Sequence, residues 1–162
     1  VPFIVVGPGI EKNVESKSII SFSDILPTII DLAGNKIKND KYLDGGSLKN
    51  VLENYKMNKI LRNDEGIVFH VPYENGIALK RAHSAIRLDN FKLIKFYDNG
   101  QLMLFDLDND LGEKNDLSSS DSSKTLKLEL LLDNYLKKVK APKWKPGVHW
   151  RQTPIKKINS FH

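Results

Sequence analysis

The chain opens on an unbroken apolar run, Phe3-Ile4-Val5-Val6, closed by Gly7-Pro8-Gly9. That pattern predicts a short strand buried on both faces of a parallel sheet. Ser18 to Ser21 reads as a further short strand or as a lead-in to the next element. Ile25, Leu26, Ile29, Ile30 and Ala33 recur at helical spacing and predict a helix over about 23–33, ended by Gly34. Ser21 or Ser23 is the candidate cap, and Pro27 has to fall in the first turn, where its missing N–H costs little, so the helix should begin near Asp24. Residues 35–42 are a polar, lysine-rich loop. Asp44-Gly45-Gly46 turns the chain into a short helix over about 47–54 capped by Ser47, and 55–65 reads as a polar linker.

From residue 66 the period changes. Ile67-Val68-Phe69 is a strand, 74–81 a loop, and Ser84–Leu88 and Phe91–Tyr97 are two strands joined through Asp89-Asn90. Asp98-Asn99-Gly100 is a hairpin turn, with positive φ expected at both Asn99 and Gly100, and Gln101–Leu107 is the return strand. The result is an antiparallel meander of three or four strands. A helix over about 122–139 follows, with Leu128, Leu132, Tyr135 or Leu136, and Val139 on one stripe. It should cover one face of the meander, because so few strands cannot bury an apolar face alone. Residues 141–162, with Pro142, Pro146 and Pro154, have no period and read as an extended tail.

Composition adds few constraints. The 162 residues are 40% hydrophobic and 28% charged, which suits a globular protein of ordinary size. No apolar run is long enough for a membrane span. The net charge of +5 comes from lysine, much of it within 137–157. That run is a solvated tail or a polyanion-binding patch. A nucleic-acid partner is disfavoured, since the basic residues are not interleaved with aromatics in any reader pattern and acidic residues are mixed in elsewhere. With no cysteine, the segment holds no disulfide, thiolate metal site or cysteine nucleophile.

Candidate chemistry is sparse. His70, at the end of a strand beside a glycine-containing loop, is placed for a cleft or for a structural hydrogen bond. Lys80, Arg81, His83 and Arg87 could grip an anion, or form a solvated edge. Asp106, Asp108, Asp110, Glu113 and Asp116 lack the glycine and glutamate spacing of a calcium loop and read as a turn whose side chains bond local N–H groups. Trp144 and Trp150 could dock the tail or stack on a sugar. No nucleophile–base–orienter set, phosphate loop or histidine metal set is present.

Six stretches in order do carry a resemblance: "VPFIVVGPGI" (1–10), "SFSDILPTIIDLAG" (21–34), "LDGGSL" (43–48), "IVFHVPYENG" (67–76), the strand–turn region 83–118, and "APKWKP" (141–146). Together they resemble the C-terminal part of type I sulfatases, the formylglycine-dependent members of the alkaline-phosphatase-like superfamily. The resemblance implies an α/β fold in two parts: 1–60 as the end of a doubly wound sheet domain, incomplete here, with strand 3–6 inside it; and 66–140 as a small α+β domain, an antiparallel sheet packed by one C-terminal helix, followed by the tail. It implies a secreted or periplasmic enzyme that hydrolyses sulfate esters of saccharides, whose N-terminal portion carries the catalytic residues. In such enzymes a formylglycine made from Cys/Ser-x-Pro-x-Arg attacks sulfur, and calcium neutralises charge. This segment contains no such motif, so it is expected to be inactive alone and to supply cleft wall and substrate contacts. His70, Tyr73, His83 and Arg87 are the implied substrate-binding residues, with none catalytic and none metal-binding. Pro72 is followed directly by Tyr73, where the family often has a second histidine. A non-catalytic module binding anionic glycans, or a fragment of a related phosphoesterase or phosphonate hydrolase, are the alternatives.

Overall fold

The computed structural model describes residues 2–36, 43–57, 59–74 and 80–146. The loop residues 37–42, 58 and 75–79 and the tail from 147, with Trp150 in it, lie outside the described residues. The chain divides into two compact units between Glu65 and Gly66.

In the first unit Phe22–Asp24 form a 3-10 turn that leads directly into α1, Ile25–Leu32. Ser21 caps the turn through a capping box, in which the Asp24 carboxylate accepts from the Ser21 N–H at 2.7 Å. Pro27 sits in the first turn of α1, as its lack of a donor requires. α2 is Lys49–Glu53, shorter than the pattern suggests; the Ser47 hydroxyl still accepts from the Lys49 N–H at 3.2 Å.

What joins these elements is a set of side chains whose partners are far away in sequence. The Asp24 carboxylate accepts from the Gly46 N–H at 2.9 Å and from Arg62 through Nε and Nη2 at 2.9 and 2.7 Å. Thr28 Oγ1 accepts from the Leu48 N–H and donates to the Asp24 carbonyl, and Ser47 donates to Asp31. The turn can approach the 3-10 turn and the stretch at Ile60-Leu61 this closely only because it is glycine. A Cβ on Gly45 would stand 2.0 Å from the Ser23 carbonyl oxygen, and one on Gly46 2.1 Å from that of Leu61. A small core of Leu48, Val51 and Ile60 completes the unit.

Two expectations change here. Residues 3–6 form no strand: they join no ladder with a described residue, and Ile4 and Val6 are 85% and 84% exposed. An apolar run becomes a strand only where a neighbour supplies the ladder hydrogen bonds. The stretch 55–65 is more than a linker, because Ile60 is buried and Arg62 is the partner of a buried carboxylate.

The second unit is an antiparallel sheet in the order β1 (Ile67–Val71), β2 (His83–Leu88), β3 (Phe91–Phe96), β4 (Leu102–Asp106), followed by α3 (Ser122–Lys138). Register pairs Val68 with Ile86, Ile86 with Leu93, and Leu93 with Leu104, so these four share one face. α3 lies on that face, and Leu128 and Leu132 pack on Ile86, Leu93 and Leu104. Leu136 continues the helix stripe, whereas Val139 is exposed. Ala85, Ile94, Phe96 and Phe105 form a second cluster on the other face. Asp121 caps α3 by accepting from the Lys124 N–H.

The β3–β4 hairpin closes with positive φ at Gly100 (70°) but not at Asn99. The ladder resumes at Phe96 and Gln101, so four residues span the turn and only its last one needs the left-handed region. The acidic stretch after β4 is a turn, as the spacing implies. Asp110 accepts from the Lys114 and Asn115 N–H groups, and Asp116 from those of Leu104 and Ser118.

Candidate functional site

The sheet face that carries α3 ends in a polar cluster where β1, β2 and β3 come together. His70 and Ser84 are register partners on that face, and Tyr97 follows β3. His70 Nδ1 lies 2.6 Å from Ser84 Oγ, which is 2.6 Å from Tyr97 Oη. His70 Nε2 lies 2.8 Å from the carbonyl oxygen of Pro142, in the segment after α3.

These contacts fix the protons. A carbonyl can only accept, so Nε2 carries a hydrogen. Burial pushes the His70 pKa below its usual 6.5, the Pro142 carbonyl opposing and the His83 charge adding to the shift. The ring is therefore neutral at pH 7, and Nδ1 is an acceptor. Ser84 then donates to His70, and Tyr97 donates to Ser84. Burial also raises the Tyr97 pKa and keeps its proton in place. Ser84 is fully buried, so its hydroxyl is a bridge within this chain of bonds and has no access to a substrate.

Beside the cluster Lys95 reaches from β3 to α3, meeting Glu129 at 2.9 Å and Asp133 at 2.8 Å. Its burial would lower the pKa, but the two carboxylates raise it overall. Next to this ion-paired girdle is an open cavity of about 690 Å³. His70, Tyr97 and Leu136 line it together with Lys137, Pro142 and Trp144.

The residues singled out in the sequence do not converge on one point. His70 lies within β1 and faces α3, not beyond the strand's end. Its register neighbour pattern puts His83 and Arg87 on the opposite face of β2. Those two are four residues apart along one strand, about 13 Å. His83 is buried, with Nδ1 2.7 Å from the Arg81 carbonyl and its ring 6.1 Å from that of Phe96. Arg87 is half-buried, and Tyr73 stands half-buried beyond β1. Arg81, part of the expected anion grip, is already engaged: its guanidinium bonds both Asp98 carboxylate oxygens at 2.6 and 2.8 Å and lies 3.9 Å over the Phe96 ring.

Ser84, Tyr97 and Arg62 were missed by the reading of the sequence. A serine inside a strand and a tyrosine at its end carry no spacing signal, and Arg62 finds Asp24 across 38 residues.

No group of three or more His, Asp or Glu among the described residues could hold a metal ion. The densest run of carboxylates, Asp106–Asp116, spends its oxygens on backbone N–H groups and on the side chains of Asn90, Lys92 and Asn109. The calcium implied by the resemblance therefore finds no donor set here, and without cysteine or a Ser-x-Pro-x-Arg motif there is no formylglycine precursor.

Residues 1–141 match the family described as N-sulphoglucosamine sulphohydrolase, C-terminal. The chain belongs to this sulfatase C-terminal family. Mouse arylsulfatase K is 30% identical over 156 residues, covering 92% of this chain and 26% of the relative. The N-acetylglucosamine-6-O-sulfatase of Bacteroides thetaiotaomicron is 33% identical over 118 residues, 72% of this chain and 21% of the relative. A solved protein in complex with its substrate, D-glucosamine-2-N,6-O-disulfate, matches with a TM-score of 0.53 and 30% identity, covering 72% of this chain and 24% of that one. The chain thus spans about a quarter of the length of these proteins. Membership bears out the α/β reading, with its small antiparallel sheet covered by a C-terminal helix, and the sulfatase resemblance. In this sulfatase segment no helix among the described residues is long and apolar enough to cross a membrane.

Proposed function

We propose that this chain is the C-terminal part of a sulfatase that hydrolyses sulfate esters of a saccharide. The observation that supports it most strongly is the family match across residues 1–141, joined by one relative whose name, and one neighbour whose ligand, specifies a sulfated glucosamine. On this reading the formylglycine nucleophile and the calcium site belong to residues outside this segment. The first unit completes the large α/β domain, and the second shapes a cleft wall. The enzyme is secreted or periplasmic, as the sulfatase resemblance implies.

Exposed apolar residues agree with that division. Phe22, Leu26 and Ile29 form a stripe along the 3-10 turn and α1, 77%, 53% and 60% exposed, and Ile4 and Val6 are more exposed still. Such contiguous apolar surface calls for a cover, and the remainder of the sulfatase chain is the cover this reading assigns. Substrate contacts are assigned to Tyr73 beyond β1, to His83 and Arg87 on the face away from α3, and to His70 through its hold on Pro142. His83 bonds the Arg81 carbonyl through Nδ1, and Nε2 is the ring atom this leaves to meet a sugar hydroxyl.

Peptide mapping of the full-length protein tests the proposal. The expected result is a peptide containing Cys/Ser-x-Pro-x-Arg upstream of Val1, with its first residue converted to the aldehyde. A full-length protein without that motif contradicts the catalytic reading.

A further inference from the structure

The cavity at the end of α3 has features that the cleft-wall role does not use. Its floor is apolar: Leu136, Pro142 and the Trp144 ring. Its lining also carries cations, Lys137 and Lys143. The one acidic residue on its edge, Asp133, is held by Lys95 at 2.8 Å, so it does little to offset the lysines. Trp144 Nε1 is buried without a hydrogen-bond partner. It is the single buried side-chain donor or acceptor left unpaired among the described residues. A buried unpaired N–H is costly, and an acceptor presented from the cavity, met by a small turn of the indole, relieves that cost.

The cavity wall is itself built. His70 donates from Nε2 to the Pro142 carbonyl, tying the segment after α3 back to β1 two residues before Trp144. His70 is thus a positioning residue for the indole.

We propose that this cavity is a second saccharide-binding site, an anchor for a sulfated sugar unit of a longer chain, distinct from the cleft contacts assigned to Tyr73, His83 and Arg87, none of which lines it. A sulfated sugar matches its three parts. Sulfate groups meet the lysines, the C–H face of the ring lies on the Trp144 indole and Pro142, and a sugar or sulfate oxygen accepts from Nε1. Among the described lining residues Trp144 is the single tryptophan, and His70 and Tyr97 are taken up by their bonds to Ser84, unlike the row of stacked aromatics that single-stranded nucleic acid uses. The ligand class rests on the sulfatase reading, whereas the cavity, its charge and the unpaired donor do not.

The test uses the full-length protein and a size-defined heparin hexasaccharide, with calorimetry at two salt concentrations and a small sulfated monosaccharide as the turnover substrate. Trp144→Phe keeps the ring and removes the donor, and is expected to weaken hexasaccharide binding roughly three- to tenfold. Lys137→Gln with Lys143→Gln is expected to weaken it further and to flatten the salt dependence. Both variants should turn over the monosaccharide as the parent does. Unchanged hexasaccharide affinity in both variants, no binding by the parent, or equal binding of a single-stranded DNA oligomer each overturns the proposal. Absence of any sulfate release with variant-sensitive binding intact would instead overturn the catalytic reading and leave this site standing.

Discussion

Asp24 is wholly buried and ionised, held by one guanidinium and two N–H groups. Burial alone would raise its pKa, but Arg62, the Gly46 N–H and the Ser21 N–H together hold it below the usual 3.8. Because the folded pKa is depressed, its contribution to stability is present above the unfolded value and is lost as pH falls through the folded one. Asp24→Asn leaves Arg62 without its counter-charge and is expected to cost about 3–5 kcal/mol, read from denaturant midpoints. The motif Asp-x-x-Pro-Thr is easy to see in the sequence; its role as a clamp on the Gly45-Gly46 turn is not, because the partners lie 20 or more residues away. His70 titrates with a similar sense. Its folded pKa lies below 6.5, so its stabilising effect is complete above about pH 6.5 and fades under acid as the imidazolium forms. Ser84→Ala strands both His70 Nδ1 and the Tyr97 hydroxyl and is expected to cost about 1–3 kcal/mol at pH 7.5. An unchanged denaturant midpoint in this variant would contradict the bond order.

Elements were legible where one face of a periodic segment is buried. The Ile86–Leu93–Leu104 row lies in short apolar-rich segments bounded by turn residues, and α3 repeats Leu128 and Leu132 at helical spacing. Both therefore appear in the structure within a residue or two of their expected bounds. Leu132, with no exposed surface at the centre of this layer, is the position where sheet and helix depend on each other most. Leu132→Ala is expected to cost about 2–5 kcal/mol, with the same change measured by helix and sheet signals, since neither has another cover. Residues 3–6 misled for the converse reason: composition specifies that they want burial, but a strand also needs a neighbour. The Asn99-Gly100 turn was placed correctly, yet its type depends on how many residues separate the last ladder bonds, which sequence pattern does not fix.

At the scale of the whole molecule the segment resembles the end of a larger hydrolase. It spans about a quarter of its relatives, carries no metal donor set among its described residues, and exposes apolar side chains along α1. The family was readable from six short stretches in order, among them the Asp24 clamp and the Gly45-Gly46 turn, whose geometry restricts their residues. The candidate substrate contacts were harder to read, since His70, His83, Arg87 and Tyr73 look alike as isolated polar residues and the sheet puts His70 on one face and His83 and Arg87 on the other. The measurement that tests the account most directly is sulfate release by the full-length protein from a glucosamine 6-sulfate. The account predicts stoichiometric sulfate with multiple turnovers and little cleavage of the matching phosphate or phosphonate ester. Turnover of the phosphonate with no sulfate released would contradict it.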